Sequence, residues 1–355
     1  MTRAEDYDYV LPPELIAQNA VEPRDHSRLL VLDRKSGKIS HHHFHDLPQF
    51  LDSNDLLVAN NTRVMKARLL GKRVLEGNQS GGGGKIEFLL LEEVAPLVWD
   101  GMFHAAAKHR PGVRFEIPTP SGEPLRGELI RGASDSPSGT VAARFDRDPI
   151  AAGAGEIPLP PYLERAHQPT AFDEARYQTI YSKEIGSAAA PTAGLHFTDS
   201  VRDALRAKGV GWQELTLHVG LGTFRPVKAG ELSDHVMHEE RYEITESAAR
   251  EITEAKQGAR RVVAVGTTVV RTLESAWQNG ALHAGPGRTA VFIYPGGPKQ
   301  IQVVDRLITN FHLPRSTLLM LVSAFAGKDL VLRAYEEAVR EKYRFNSYGD
   351  AMLVL

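Results

Sequence analysis

The sequence contains no cysteine among its 355 residues. Disulfides, thiolate zinc sites, iron–sulfur clusters and cysteine nucleophiles are therefore excluded, because each needs that side chain. Long apolar runs are also missing: the longest candidate, residues 318–326, contains Ser323 and is shorter than the ~18 residues of a membrane helix. The first residues are charged and no apolar stretch follows them, so we expect no signal peptide and a cytoplasmic protein.

Net charge is small as well. Lysine and arginine number 42, aspartate and glutamate 44, and the formal net charge is −2. A nucleic-acid partner would therefore have to be held by a local basic patch. The first candidate patch is Arg63, Lys66, Arg68, Lys72 and Arg73, and the second is Lys108, His109, Arg110 and Arg114. Charge alone favours the simpler interpretation, in which both are solvated strand faces.

The length of the chain and a change in its residue pattern near residues 62 and 156 predict two domains. Residues 62–156 alternate short strand-like runs with turns rich in glycine, proline and serine, which is typical of a small β-barrel. The runs are 64–70, 86–91, 113–117 and 140–145. Residues 1–61 and 157–355 combine strand and helix signals. We therefore predict an α/β domain (1–61 plus 157–355), with a mostly parallel or mixed central sheet flanked by helices, and an inserted β-barrel domain (62–156).

Local signals place several further elements. Thr198 is suited to cap a helix over 199–208, which Gly209 would close. Pro314 is predicted to open a helix that ends near Gly327. The remaining predicted elements are strands over 213–219, 261–265, 289–294 and 307–311 and helices over 268–278 and 329–342.

Four segments carry residues suited to chemistry, each where a strand or loop meets a helix or a glycine turn. Ligands of open α/β sheets sit beyond the carboxyl ends of strands, where helix starts offer free N–H groups to anions. The segments are residues 189–198 with Thr192 and Gly194, residues 218–226 with Gly220, Gly222, Thr223 and Arg225, residues 265–271 with Gly266, Thr267, Thr268 and Arg271, and residues 309–316 with Asn310 and Phe311.

Gly266-Thr267-Thr268 joins a strand to a helix and is suited to hold a carboxylate or a phosphate. Taken alone, it is more simply a turn with a threonine cap. Gly220-Leu221-Gly222 is similar to the S-adenosylmethionine (AdoMet) loop of methyltransferases, but Pro226 prevents the helix that should follow.

Histidine is the usual acid–base residue near neutral pH, and His196, His218 and His312 lie in the four segments. His235 and His238 would share a metal if they lay on a helix, but no third ligand is evident, so we predict no metal and no bound cofactor. The histidines at 41, 42, 43 and 45 are interpreted as a surface turn and strand.

Taken together, these segments resemble the S-adenosylmethionine:tRNA ribosyltransferase-isomerase family of queuosine biosynthesis, along nearly the whole chain. The motifs are residues 8–18, 60–64, 158–162, 176–182, 186–198, 217–227, 266–268, 310–314 and 343–352. The chain departs from the family pattern at residues 105–110 and at Arg315, which affects the details of tRNA contact rather than the reaction.

The resemblance implies transfer of the AdoMet ribosyl group to 7-aminomethyl-7-deazaguanine at the tRNA wobble position, with isomerisation to an epoxycyclopentane and release of adenine and methionine. The expected partners are AdoMet, as a substrate, and tRNA with a G-U-N anticodon, bound by a monomer.

A base must first remove a proton from the ribose 5′ carbon beside the sulfonium, and an acid must help adenine leave. His196, His218 or His312 is the hypothesised base or acid, and Glu239 is the reserve candidate. Gly266, Thr267 and Thr268 would hold the methionine carboxylate, with Arg225 or Arg271 assisting. Phe224 and Phe311 are either stacking platforms for a base or core residues. The basic residues expected to contact tRNA are Arg63, Lys66, Arg68, Lys72, Arg73, Lys108 and Arg110.

Two alternatives stay open at this point. An AdoMet-dependent RNA methyltransferase would release S-adenosylhomocysteine instead of adenine and methionine. A non-catalytic RNA-binding protein would need a stronger basic patch and fewer glycine turns and histidines at strand ends.

Overall fold

The computed structural model describes residues 3–74, 83–105, 109–136, 139–220 and 230–355. Within these ranges the chain has a mixed α/β architecture with a closed antiparallel barrel, as predicted. The strands are β1 (Arg28–Leu32), β2 (Ile39–His43), β3 (Asp55–Asn60), β4 (Thr62–Val64), β5 (Arg68–Arg73), β6 (Lys85–Ala95), β7 (Val98–Ala105), β8 (Arg114–Ile117), β9 (Leu125–Arg131), β10 (Val141–Phe145), β11 (Gly155–Glu156), β12 (Glu184–Ser187), β13 (Gly211–Leu217), β14 (Glu240–Ile244), β15 (Arg261–Val265), β16 (Trp277–Gln278), β17 (Ala281–Leu282), β18 (Gly285–Thr289), β19 (Arg306–Asn310) and β20 (Ala351–Val354). The helices are α1 (Ala171–Arg176), α2 (Asp199–Ala207), α3 (Glu246–Gln257), α4 (Thr267–Ala276), α5 (Thr317–Ala326) and α6 (Lys328–Arg340).

A nine-stranded mixed sheet forms the centre of the described chain, in the order β18-β14-β13-β3-β15-β19-β20-β1-β2. The four strands β13, β3, β15 and β19 are mutually parallel, so their carboxyl ends share one edge. Every residue of β3 is buried, as expected for a parallel strand covered on both faces. The predicted mixed sheet is thereby confirmed, and its parallel centre fixes where the strand ends meet.

The barrel is a closed ring of six antiparallel strands, β5-β6-β7-β10-β9-β8, in which β8 returns to pair with β5. Its interior holds four phenylalanine rings, with Phe88 contacting Phe103, Phe115 and Phe145 at centroid distances of 5.7–6.1 Å. Closure removes the free strand edges that a small sheet would otherwise expose. Strand β4 lies outside the ring and pairs with β12, and the division of the chain at residues 62 and 156 stays a prediction.

Hydroxyl side chains cap the helices around the sheet. Thr198 accepts the Val201 N–H at the start of α2, and Ser316 accepts the Leu319 N–H at the start of α5. Helix α4 starts differently, because its N-cap Gly266 has φ 93°, a left-handed conformation that glycine adopts without strain. No helix in the described ranges is long and apolar enough to cross a membrane.

One strand prediction was wrong, and one predicted helix starts later than expected but ends at Ala326, beside Gly327 as expected. The strand predicted over 289–294 is instead Gly285–Thr289, because residues 285–289 are the ones that pair with β14. Helix α5 begins at Thr317, three residues after Pro314, since the Ser316 side chain supplies the cap. Helix α3, capped by Thr245, was not predicted at all.

Candidate active site

The described parts of the four segments singled out in the sequence lie at the carboxyl edge of the parallel strands. Asn60 at the end of β3 links the strand ends: its Nδ2 donates to the Leu217 carbonyl over 2.9 Å, and its Oδ1 accepts the Leu217 N–H over 3.0 Å. The same Nδ2 lies 3.5 Å from Oγ1 of Thr268 at the start of α4. The side chain of Asn60 therefore joins the His218 segment to the Gly266 segment.

His196 is enclosed at this edge, and both of its ring nitrogens are occupied. Nε2 accepts a hydrogen bond from Asn310 Nδ2 at 3.2 Å, and Nδ1 lies 2.7 Å from Ser27 Oγ. The Asn310 amide also donates to the Asn346 carbonyl over 3.0 Å, which fixes it as the donor. Burial lowers the pKa of His196 to about 3, so the ring is neutral at pH 7. This histidine positions Asn310 and has no nitrogen left for a substrate.

His312 is also buried, but one ring nitrogen has no hydrogen-bond partner among the described residues. Its Nε2 lies 2.8 Å from Thr309 Oγ1, and the Thr309 hydroxyl donates to the Asn310 carbonyl over 3.2 Å. Burial lowers the pKa of His312 to about 3. His312 lines a cavity of about 100 Å³ together with Thr192, Asn310 and Asn346, which we call the small cavity.

His218 lines a larger cavity of about 330 Å³ between the barrel and the sheet edge, which we call the barrel-side cavity. Its described walls include Met102 and Thr140 from the barrel and Gly186, Gly220 and Glu240 from the sheet side. A Cβ at Gly186 would lie 2.7 Å from His218 Cε1, so this position has room only for glycine. The volume falls within the usual range for small-molecule sites, roughly 300–1,000 Å³, whereas the small cavity is below it.

The proton on His218 can be placed from its neighbours. Nδ1 lies 2.8 Å from Thr62 Oγ1, and the Thr62 hydroxyl donates to the Glu184 carbonyl over 3.4 Å. Thr62 therefore accepts the Nδ1–H, and Nε2 keeps its lone pair. Burial, followed by the charge of Arg241, lowers the pKa of His218 to about 4. A neutral ring with a lone pair at a cavity wall is the arrangement that a general base requires.

Arg271 lies one turn into α4 and forms a buried ion pair with Glu240. Its Nη1 donates to the buried Glu240, and its Nε donates to the Val291 carbonyl over 3.2 Å. The other oxygen of Glu240 accepts the Gly220 N–H over 3.0 Å. The Arg271–Glu240 pair holds Gly220 at the cavity wall, while Nη2 of Arg271 is buried without a hydrogen-bond partner among the described residues. The predicted role of Arg271 in carboxylate binding stays a prediction.

Glu239, the reserve candidate from the sequence, and its neighbour Glu240 both line the barrel-side cavity, but they differ in exposure. The Glu239 side chain is 55% exposed and pairs with Arg288 over 3.1 Å. The Glu240 side chain is only 4% exposed. Strand alternation is the sequence signal that distinguishes them, since Glu240 begins β14 and points inward.

The start of α4 lies beside the segment that carries Thr192 and Gly194. Ala193 Cβ lies 3.5 Å from the Cβ that Gly266 would carry if it were alanine, and Thr267 and Thr268 are almost completely buried. A Cβ at Gly194 would collide with the Tyr181 hydroxyl. Small residues here therefore allow close backbone packing around the helix start.

Phe311 was a candidate for stacking on a base and Arg68 for contacting tRNA, but both side chains are buried among other residues. Phe311 is fully buried among aromatic rings, with Tyr335, Tyr343 and Phe345 at centroid distances of 5.1–5.4 Å, so it is a core residue. Arg68 is buried and bonds to Glu87 over 3.0 Å and Glu156 over 2.7 Å. This pairing argues against a phosphate contact by Arg68, because its charge is already neutralised.

The other described basic residues remain at the surface. Arg63 is exposed, and its Nη1 lies 3.4 Å from Ser182 Oγ. Lys66 pairs with Glu174 over 2.8 Å, with both side chains more than 40% exposed. Lys72 and Arg110 are exposed, and Arg73 is half-buried.

Some predictions fall elsewhere. Gly222, Thr223, Phe224, Arg225 and Lys108 lie outside the described residues. His235 and His238 are not on a helix, so they lack the helical spacing that would let them share a metal. The His235 ring packs against Phe292 at a centroid distance of 5.1 Å.

Several site residues were missed in the sequence. Ser27, Asn60 and Asn346 are small polar residues that bind the candidate groups, and each is buried. Asn60, Thr62 and Asn346 do lie within recognised motifs, but nothing in the local pattern indicates their hydrogen-bond partners, which come from distant segments.

Comparison with known proteins identifies the family. The model of the family described as "Queuosine biosynthesis protein" matches residues 4–354. The chain belongs to this family. Relatives named S-adenosylmethionine:tRNA ribosyltransferase-isomerase are 50% identical in Moorella thermoacetica and 49% identical in Symbiobacterium thermophilum, each over 99% of this chain and 100% of the relative.

A solved structure of a family member is also similar. The S-adenosylmethionine tRNA ribosyltransferase of Thermotoga maritima is 38% identical, with a TM-score of 0.55, and the match covers 99% of this chain and 100% of that chain. The fold and the family resemblance expected from the sequence are thereby confirmed.

Proposed function

We propose that this chain transfers the ribosyl group of AdoMet to 7-aminomethyl-7-deazaguanine in tRNA and isomerises it, giving epoxyqueuosine-tRNA, adenine and methionine. Full-length relatives named for this activity support the proposal. The observation in the structure that carries it is the barrel-side cavity, where the His218 ring meets the carboxyl edge of the sheet. The methyltransferase and binding-only alternatives are not favoured by any of these relatives.

His218 is the proposed base for the first step. The sulfonium of AdoMet acidifies the neighbouring 5′ protons, and Nε2 of His218 carries the lone pair that accepts one. The resulting imidazolium would be stabilised by a nearby anion: Glu92 lines the same cavity, and its charge raises the pKa of His218 against the larger lowering by burial. His312 is the second candidate, since it too keeps one ring nitrogen free. His196 is not proposed for this role, because both of its ring nitrogens have hydrogen-bond partners.

The start of α4 is the proposed site of the methionine carboxylate. The first N–H groups of a helix lack internal partners and carry a partial positive charge. Asn60 connects Thr268 to the strand that carries His218, and Arg271 of the same helix is tied through Glu240 to Gly220. A carboxylate bound at Thr267 and Thr268 would thus be held by the framework that positions the base.

The proposed tRNA contacts are the surface lysines and arginines, with Arg68 removed. Lys72, Arg110 and Arg63 have exposed side chains, and Lys66 would exchange its partner Glu174 for a phosphate. Each phosphate contact should contribute about 0.9 to the slope of log affinity against log salt for a duplex and about 0.7 for a single strand. A K72A/R110A variant that keeps the wild-type salt slope would remove these two residues from the interface.

We further propose that the substrate tRNA has a G-U-N anticodon, that the protein is a monomer and that it is located in the cytoplasm.

Product analysis tests the function. The protein is incubated with AdoMet and tRNA that carries 7-aminomethyl-7-deazaguanine, and adenine, methionine and S-adenosylhomocysteine are quantified. Adenine and methionine formed only with that tRNA is the expected result. S-adenosylhomocysteine would indicate a methyltransferase, and tRNA binding without any product would indicate a binding protein. Unmodified tRNA is the matched control.

A further inference from the structure

A second group of histidines lies at the surface, where β2 ends and a 3₁₀ turn (Phe44–Gln49) begins. The ligand atoms of His43, His45 and Asp46 all lie within 4.8 Å of one another. The rings of His43 and His45 are parallel, with centroids 5.3 Å apart. A third imidazole, His26, has its ring centroid 5.3 Å from that of His45. We call these four residues the surface histidine cluster.

The backbone holds this cluster in place. Asp46 Oδ2 accepts the His43 N–H over 3.0 Å, and Asp46 Oδ1 accepts Gln49 Nε2 over 2.9 Å, which fixes the carboxylate beside the turn. His45 Nε2 lies 3.9 Å from Asp46 Oδ1, which is beyond hydrogen-bond distance, and in the described ranges no hydrogen bond joins a ring nitrogen of His26, His43 or His45 to another residue. The three imidazoles therefore have ring nitrogens available, and they surround a carboxylate that is already oriented.

We propose that the surface histidine cluster binds one zinc ion, with His43, His45 and Asp46 as ligands and His26 or a water molecule in the fourth position. Neutral imidazole nitrogen with one carboxylate oxygen is a usual donor set for zinc, whereas magnesium and calcium prefer oxygen alone. Zinc ligands lie about 2.0–2.2 Å from the ion, so two ligand atoms of a tetrahedral site are about 3.3–3.6 Å apart. Small rotations of exposed side chains close the remaining distance.

The surface histidine cluster is connected to His196 of the candidate active site through the chain neighbours Phe44 and Ser27. Phe44 stands between His43 and His45, is fully buried, and stacks on His196 at 5.1 Å. Ser27 follows His26, accepts the Phe44 N–H through its carbonyl over 2.9 Å, and contacts His196 through its hydroxyl. An ion held by His43, His45 and His26 would fix the neighbouring residues Phe44 and Ser27, which both contact His196.

Zinc titration tests the proposal. Protein without an affinity tag is stripped with a chelator and titrated with zinc chloride by calorimetry. The wild type should bind one ion, and an H43A/H45A variant should bind it at least about tenfold more weakly, since loss of mere supporting contacts already costs 10–100-fold. Zinc should also raise the unfolding midpoint of the wild type and leave that of the variant unchanged, because the folded site alone binds the ion.

His283 provides the control. It is exposed and precedes β18, at the opposite edge of the large sheet from β2, so H283A should bind zinc like the wild type. A D46N variant, which keeps an oxygen for the His43 N–H, should bind more weakly than the wild type and still fold. Zinc binding by H43A/H45A with wild-type affinity, or no stoichiometric binding by the wild type, would overturn the proposal.

Discussion

The histidines at the sheet edge and the surface histidine cluster differ in burial and in the partners of their ring nitrogens, and Phe44 lies between His196 of the first group and the chain positions of His43 and His45 in the second. The edge histidines, His196, His218 and His312, are largely buried, and at least one nitrogen of each ring is bound to a neighbouring side chain. The surface histidine cluster has exposed imidazoles beside a carboxylate. The same side chain is a neutral acid–base candidate in one place and a metal-ligand candidate in the other, so environment rather than residue type decides the chemistry.

Hydrogen-bond partners separate the edge histidines from one another as well. Asn310 and Ser27 occupy both nitrogens of His196, whereas Thr62 engages only Nδ1 of His218. The number of open nitrogens therefore separates His218 and His312 from His196, and the larger cavity at His218 places it first. The following predictions test that ranking and the contrast between the two groups.

The largest expected effect is on catalysis. H218Q should slow single-turnover ribosyl transfer by about 10²–10⁴-fold, the usual contribution of a general base. Single-turnover release of adenine at saturating AdoMet measures the step, and H283Q is the surface control. A full rate in H218Q together with a slow H312Q would move the base to His312.

The second effect is on stability. F44A should lower the free energy of unfolding by about 3–5 kcal/mol, because it leaves a cavity between His196 and Phe197. F172A, at a side chain that is 44% exposed, is the matched control and should cost far less. Denaturant titration measures both. Equal losses in the two variants would show that Phe44 does not support the edge histidines.

The third effect is a dependence of stability on pH. Burial lowers the folded-state pKa of His196 and His312 to about 3 and that of His218 to about 4, below the unfolded value of about 6.5. The unfolded chain therefore binds more protons, so this stability is complete above pH 6.5 and is lost as pH falls toward 3. Each group contributes a slope of about 1.4 kcal/mol per pH unit in that window. An H312Q variant should show a shallower acid slope than the wild type in denaturant titrations, and an unchanged slope would contradict the assignment.

The smallest effect is expected at the surface histidine cluster. Without zinc, H45A should change the free energy of unfolding by no more than about 0.5 kcal/mol, as is usual for exposed positions. Thermal unfolding in chelator measures this, with H196A as the buried counterpart that should lose much more. A large loss in H45A would mean that its ring contacts with His26 and His43 are structural.

Local sequence signals predicted elements that have a strong local signature, namely a capping threonine or a run of β-branched apolar residues. The cap at Thr198 and the strand Arg261–Val265 lie where the pattern placed them. The strand predicted over 289–294 failed because pairing with β14, a distant partner, selects residues 285–289 instead. Propensity identifies a strand-like segment, whereas the register comes from the rest of the sheet.

The candidate site shows the same limit. Strand ends and glycine turns indicated the correct edge, since that follows from the parallel order of the sheet. Which groups are free could not be read from the sequence, because Arg271 is bound by Glu240 and Arg68 by Glu87 and Glu156. These partners lie 19 to 88 residues away, beyond the reach of any local pattern.

The position of β20 has a consequence for synthesis of the protein. Residues Ala351–Val354 lie between β19 and β1, and they alone connect the pair β1–β2 to the other six strands of the large sheet. On the ribosome, β1 and β2 emerge long before β20, so their apolar hydrogen-bonding edge has no native partner until these residues have been made. During that interval the edge can pair with other chains. Newly made protein should therefore depend on chaperones that shield an open strand edge, and it should lose that dependence once residues 351–354 have entered the sheet.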